Sequence, residues 1–177
     1  MASQWKNSVY ETYKDASLNQ DWTRILQETC REAEISFFTS PYSLDLIDYV
    51  DEYVPAYKVG SGDITWIEII EYMASKGKPI FLATGASEMV DVKRAADAIL
   101  NITSDLIILL CNTNYTAHYN NYAHIQLEVL SQFKKMYPNI ITGLSDHMPG
   151  HVAVLGAVAL GAKVIEKHFT DSTERIG

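Results

Sequence analysis

At 177 residues and 47% apolar content, the chain is sized for one globular domain and carries too much apolar surface for a disordered one. The 22 acidic against 14 basic residues leave a net charge of -8, which excludes the broad basic face that nucleic acids and anionic membranes require. The longest purely apolar run, Leu106–Cys111, is far too short to cross a bilayer, no signal segment opens the chain, and Cys30 and Cys111 make neither a CxxC pair nor a disulfide framework. These features predict a cytoplasmic protein with no nucleic-acid or membrane partner.

Taken in chain order, the sequence alternates helix and strand. Asp21–Glu34 places Trp22, Ile25, Leu26 and Cys30 near helical spacing, and Ile35–Thr39 follows as a β-rich run. Helix Leu44–Tyr53 leads to strand Ala56–Val59. Helix Trp66–Lys76, stopped by Gly77-Lys78-Pro79, leads to strand Ile80–Ala83. Helix Asp91–Leu100 precedes strand Leu106–Cys111, and helix Tyr122–Met136 precedes strand Ile140–Leu144. The Gly/Ala-rich helix His151–Gly161, able to approach a neighbour closely, precedes strand Val164–Phe169. Alternation of this kind predicts a parallel α/β sheet, and apolar runs without period-2 alternation predict strands covered on both faces.

Each strand run ends in polar residues: Thr39-Ser40, Ser61-Gly62-Asp63, Thr84-Gly85, Asn112-Thr113-Asn114, Ser145-Asp146-His147 and Glu166-Lys167-His168. Chemistry gathered at the C-terminal ends of parallel strands predicts the (β/α)8 TIM-barrel type. A doubly wound sheet would carry a phosphate-binding glycine fingerprint, and neither GxGxxG nor GxxxxGK[ST] occurs. Six of the eight strand–helix units are legible, which predicts a partial barrel domain over residues 1–177.

Two constellations could carry chemistry. His147 and His168 close consecutive strands, so their imidazoles could share one divalent metal, with Asp146 and Glu166 beside them as supporting or acid–base groups. A pair of hydrogen-bonded structural histidines is the alternative. Lys58, on a strand pointing into an apolar interior, needs a partner or an anionic ligand. It could form a Schiff base, pair with Asp63 or Glu166 in a plain salt bridge, or hold a phosphate or carboxylate group with the free N–H groups of Gly60-Ser61-Gly62 and Thr84-Gly85.

The segments Tyr57-Lys58-Val59-Gly60-Ser61-Gly62-Asp63, Gly143-Leu144-Ser145-Asp146-His147 and Val164-Ile165-Glu166-Lys167-His168-Phe169-Thr170 closely resemble the sialic acid synthase (N-acetylneuraminate synthase) family. Phe37-Phe38-Thr39-Ser40-Pro41 and Ala157-Val158-Ala159-Leu160-Gly161-Ala162 match further segments of it. The resemblance implies a (β/α)8 barrel that condenses phosphoenolpyruvate with an N-acylated amino sugar, giving a nine-carbon nonulosonic acid and phosphate. It assigns His147 and His168 to a divalent metal, usually manganese, and Thr39, Lys58, Ser61 and Ser145 to phosphoenolpyruvate. Asp63, His147 and Glu166 become the catalytic set, with Asp63 serving the attacking water. Thr113, Tyr115 and Glu166 fall on the sugar side. Ala83 stands where the family commonly has serine, and Thr113 where users of N-acetylmannosamine carry asparagine. The string Cys111-Asn112-Thr113-Asn114-Tyr115 is similar to the legionaminic-acid-type synthases, whose acceptor is a 2,4-diacetamido-6-deoxy sugar.

Against that pattern, barrel strands one and two and a C-terminal antifreeze-like capping domain lie outside the 177 residues. The resemblance implies a homodimer for the complete enzyme, and the chain alone is expected not to turn over. The competing expectations are a fragment that binds ligand or partner without catalysis, and a metal-dependent aldolase or hydrolase on the same barrel.

Overall fold

Five of the apolar runs pair, in chain order, into one parallel sheet: β1 Tyr57–Val59, β2 Ile80–Ala83, β3 Leu106–Cys111, β4 Ile141–Asp146 and β5 Val164–Lys167. The computed structural model describes residues 8–172 and 174. Its helices are α1 Val9–Ala16, α2 Trp22–Glu32, α3 Leu44–Val50, α4 Ile67–Ser75, α5 Met89–Leu100, α6 Val129–Met136 and α7 Val152–Ala159. One helix, α4 to α7 in turn, joins each pair of consecutive strands, the crossover that parallel pairing demands. Left-handed Gly77, at φ 71°, ends α4 as the sequence anticipates, and Gly161, at φ 95°, follows α7 in the same conformation. The glycine-rich face of α7 also makes the expected close approach, since a Cβ on Gly156 would lie 2.7 Å from Leu127.

Register and side-chain period together divide the sheet into two faces. Tyr57, Val59, Ile80, Leu82, Leu106, Ile108, Leu110 and Leu144 alternate onto the convex face and form the core with the helices, where Ile47, Ile69, Ile70, Ala95, Ile99, Leu130 and Phe133 are buried. The intervening positions face the concave side. Pairing of Phe81 with Ile107, Leu109 with Gly143, Cys111 with Ser145, and Ser145 with Glu166 fixes which residues stand side by side there. The sheet is strongly curled. Flat, β1 and β5 would lie four strand spacings apart, roughly 19 Å, yet Lys58 on β1 and Glu166 on β5 meet at 3.3 Å. The architecture is a curled half-barrel of the TIM type.

The expected sixth strand, Ile35–Thr39, is not one. Only Thr39 bridges, to Tyr57, through the Lys58 N–H donated to its carbonyl at 3.2 Å. Helix α2 ends in a left-handed turn at Glu34 (φ 58°), with the Ile35 N–H bonded back to Cys30, so the segment leaves the helix already committed to a cap. Pro41 then supplies no N–H to continue a ladder. The predicted helix Tyr122–Met136 is likewise shortened: residues 119–124 form 3-10 turns, and α6 begins at Val129.

Candidate active site

The chemistry-bearing residues stand on the concave face because strand alternation puts them there. Lys58, the middle residue of β1, sits between Tyr57 and Val59, both buried in the core, and so projects the other way. Glu166 holds the same parity on β5. Thr39, Lys58, Phe81, Leu109, Val164 and Glu166 line one concave cavity of about 580 Å³. Within it the Lys58 ammonium reaches one Glu166 oxygen at 3.3 Å, while the other oxygen, Oε2, is buried with no hydrogen-bond partner. Ser145, buried on β4, pairs in register with Glu166 and Cys111.

The turn after β1 adds two expected residues. The Ser61 hydroxyl accepts the Gly85 N–H at 3.0 Å, tying the β1 loop to the β2 loop. Gly85 tolerates no side chain: a Cβ would lie 2.4 Å from the Thr113 methyl and 3.1 Å from the Cys111 carbonyl. Burial pushes the Asp63 carboxyl above its ordinary range, against the opposing pull of Lys58. A carboxylate raised this way is a better base than a solvated one.

His147 and His168 follow β4 and β5 directly, and their ring centroids are 5.0 Å apart. Burial lowers the His147 pKa, the neighbouring His168 adds to that, and a hydrogen bond to the Asn112 backbone, with the carboxylates of Glu166 and Asp146, works against it. A neutral imidazole with its ring held by a backbone carbonyl is the form that ligates a metal. Among the described residues no set of three His, Cys, Asp or Glu side chains is arranged to hold a metal ion. The two imidazoles could supply part of an open coordination shell, the other positions falling to water or substrate oxygens; they are too few for a closed structural site. Tyr115 completes this corner, its ring 4.3 Å from that of His147 and 5.6 Å from that of His168.

Two expectations are redirected. Asp146 makes its hydrogen bonds away from the histidines, and only its charge acts on His147. It lies on the opposite, convex face, where it accepts from Lys167 at 2.5 Å and from the Met148 N–H at 3.0 Å. Adjacent residues of one strand cannot share a face. Thr113 lines a different cavity of about 700 Å³, with Ser87, Asn112, His124 and Gln126, between the β2 and β3 loops and helices α5 and α6. That cavity is the larger of the two; Lys58 and Glu166 line only the concave one, and the two histidines line neither. Cys111 was not anticipated as a neighbour of the site. Its Sγ lies 3.9 Å from His147 Nδ1, a proximity that the pairing of Cys111 with Ser145 makes intelligible.

The chain is similar to known proteins along most of its length. Human N-acetylneuraminate-9-phosphate synthase is 30% identical over 94% of this chain and 46% of its own. N,N'-diacetyllegionaminic acid synthase of Legionella pneumophila is 31% identical over 93% of this chain and 47% of its own. The crystal structure of N-acetylneuraminic acid (sialic acid) synthetase from Leptospira borgpetersenii superposes with a TM-score of 0.81 at 28% identity, over 89% of this chain and 54% of that one. The chain thus spans about half the length of the curated relatives it matches. The NeuB family model matches residues 1–177, and the chain belongs to the NeuB family.

Proposed function

We propose that the chain forms the substrate-binding concavity of a nonulosonic acid synthase, a transferase that condenses phosphoenolpyruvate with an N-acylated amino sugar. The observation that carries this reading is the half-made ion pair on the concave face, with Lys58 against one Glu166 oxygen and the other oxygen buried without a donor. Buried polar groups that serve structure alone are normally satisfied. A cation that can turn to an anion, beside an acceptor awaiting a hydroxyl or amide N–H, suits two substrates of those two chemistries.

In this reading Lys58, with the hydroxyls of Thr39, Ser61 and Ser145, holds the phosphate and carboxylate of phosphoenolpyruvate. Glu166 accepts from the sugar and orients its aldehyde. The methylene carbon of phosphoenolpyruvate bonds to the aldehyde carbon, water adds to the carbon bearing phosphate, and the bond from that carbon to the phosphate oxygen breaks. Asp63, with its raised carboxyl, takes the proton of that water. A divalent cation on His147 and His168, manganese by resemblance, supplies Lewis-acid polarisation of the aldehyde oxygen when bound. Most of the rate gain comes from orientation and fixed charge. The acceptor we favour is a 2,4-diacetamido-6-deoxy sugar, on the similarity of Cys111-Asn112-Thr113-Asn114-Tyr115 to the legionaminic-acid-type synthases; Thr113 itself lines the neighbouring cavity, next to Gly85. Identities of 30% and 31% to synthases of two different products do not themselves select it.

The test is calorimetric titration of phosphoenolpyruvate into the chain and its Lys58→Met variant, followed by phosphate release with sugar and Mn2+ in a complete enzyme carrying this domain. Loss of the charge contact should weaken phosphoenolpyruvate binding at least about tenfold. Equal affinity of the two proteins, or phosphate release that does not need the sugar, would sink the reading.

A further inference from the structure

The geometry points to Tyr115 as a positioning residue whose ring sets the mutual orientation of the two histidines, a role that rests on their holding a metal. His147, His168 and Tyr115 form a closed triangle of rings, with centroid separations of 5.0, 4.3 and 5.6 Å. Both Tyr115 contacts are edge-on, with interplanar angles of 65° and 78°, an arrangement in which each pair of rings is attractive. Tyr115 is 64% exposed, so the ring is not a core residue that happens to lie nearby.

What keeps an exposed ring in place is its loop. Asn114 Oδ1 accepts from the Thr116 N–H at 3.1 Å and from its hydroxyl at 2.7 Å. Asn121, buried, accepts from Asn114 Nδ2 at 3.0 Å and donates to Thr116 Oγ1 at 3.2 Å. The residues on either side of Tyr115 are thus clamped to one buried amide. The clamp fixes the backbone of Tyr115, and Tyr115 fixes two imidazoles that come from two different strands. A two-imidazole site has few protein ligands with which to hold its own geometry, so an outside brace has more to contribute than in a crowded site.

The experiment is Mn2+ titration of the full chain by calorimetry and electron paramagnetic resonance, without sugar or phosphoenolpyruvate. Tyr115→Leu should weaken Mn2+ binding about tenfold and broaden the manganese spectrum, in line with the loss of other supporting groups around metal ligands. Tyr115→Phe keeps the ring and should stay within about twofold, while Asn121→Ala, which frees the loop, should fall between them. A residue that only touches the sugar would leave all of these unchanged. Mn2+ affinity unaltered in Tyr115→Leu but lost in His147→Ala would overturn the positioning role alone. Affinity unaltered in His147→Ala as well would overturn the metal reading and this inference together. A Tyr115→Phe variant as weak as Tyr115→Leu would assign the effect to the hydroxyl and refute the ring.

Discussion

Two lysine–carboxylate pairs stand back to back at β5, and they are built differently. On the convex face Asp146, with its side chain 0% exposed, has every contact it needs from Lys167 and the Met148 N–H, and Lys167 also donates to the Met148 carbonyl at 2.8 Å. On the concave face Lys58 is 15% exposed and Glu166 43%, they meet at 3.3 Å, and one Glu166 oxygen is buried unpaired. The first pair is a finished joint and the second an unfinished one. A strand that turns successive residues to opposite faces lets one short segment, Glu166-Lys167, carry a satisfied pair on one side and an open one on the other.

The sharpest way to break this contrast is to remove one partner from each pair. Asp146→Ala leaves the buried Met148 N–H without its acceptor and the half-exposed Lys167 without its carboxylate, and should cost about 2 kcal/mol in urea denaturation. Glu166→Gln keeps the shape and removes a charge that was never fully paired, so stability should move by less than about 1 kcal/mol. Equal losses in the two variants would erase the distinction between the faces.

A smaller effect sharpens where the concave site ends. Thr113 lies outside the cavity of Lys58 and Glu166 but presses its methyl against Gly85, beside Ser61. In a complete enzyme carrying this domain, Thr113→Asn should shift kcat/KM away from a 2,4-diacetamido-6-deoxy acceptor and toward N-acetylmannosamine by about tenfold, the scale of one gained or lost polar contact. Unchanged ratios would detach the second cavity from acceptor choice.

The smallest prediction concerns the convex side. Asp51 is pushed up by burial, but Lys78 at 2.7 Å and the Tyr57 hydroxyl at 2.6 Å outweigh that and hold its carboxyl below the usual range. The folded pKa is the lower one, so the unfolded chain binds the extra proton. The stabilisation is present above the unfolded value, near 4, and fades as pH falls through the folded one. Asp51→Asn should flatten the acid limb of the stability curve while leaving phosphoenolpyruvate affinity at neutral pH untouched. An acid limb of wild-type slope would refute the assignment.

Much of the concave face was legible beforehand. Burial on both sides made β3 unmistakable as Leu106–Cys111, and polar strand ends brought Lys58, Glu166, His147 and His168 toward one mouth. The expectation for Asp146 is met only in part, because parity turns its side chain away from His147: its charge reaches the imidazole, while its hydrogen bonds go to Lys167 and Met148. Ile35–Thr39 failed because its apolar residues satisfied a pattern, whereas a strand also needs partners for its N–H and C=O groups. Helix α1 was missed because none of its residues is buried, and the capping box from Ser8 and Glu11 is its main signal. The Asn121 clamp was invisible for a different reason, since nothing in a polar loop sequence says which asparagine folds inward.

The contact between Lys58 and Glu166 is also a stitch across the mouth of a curled ribbon, joining its first strand to its last. An anion that captures Lys58 unpicks that stitch in the act of binding. Filling the cavity and relaxing its rim then draw on the same bond, so the ligand itself has to become the fastening that it displaces.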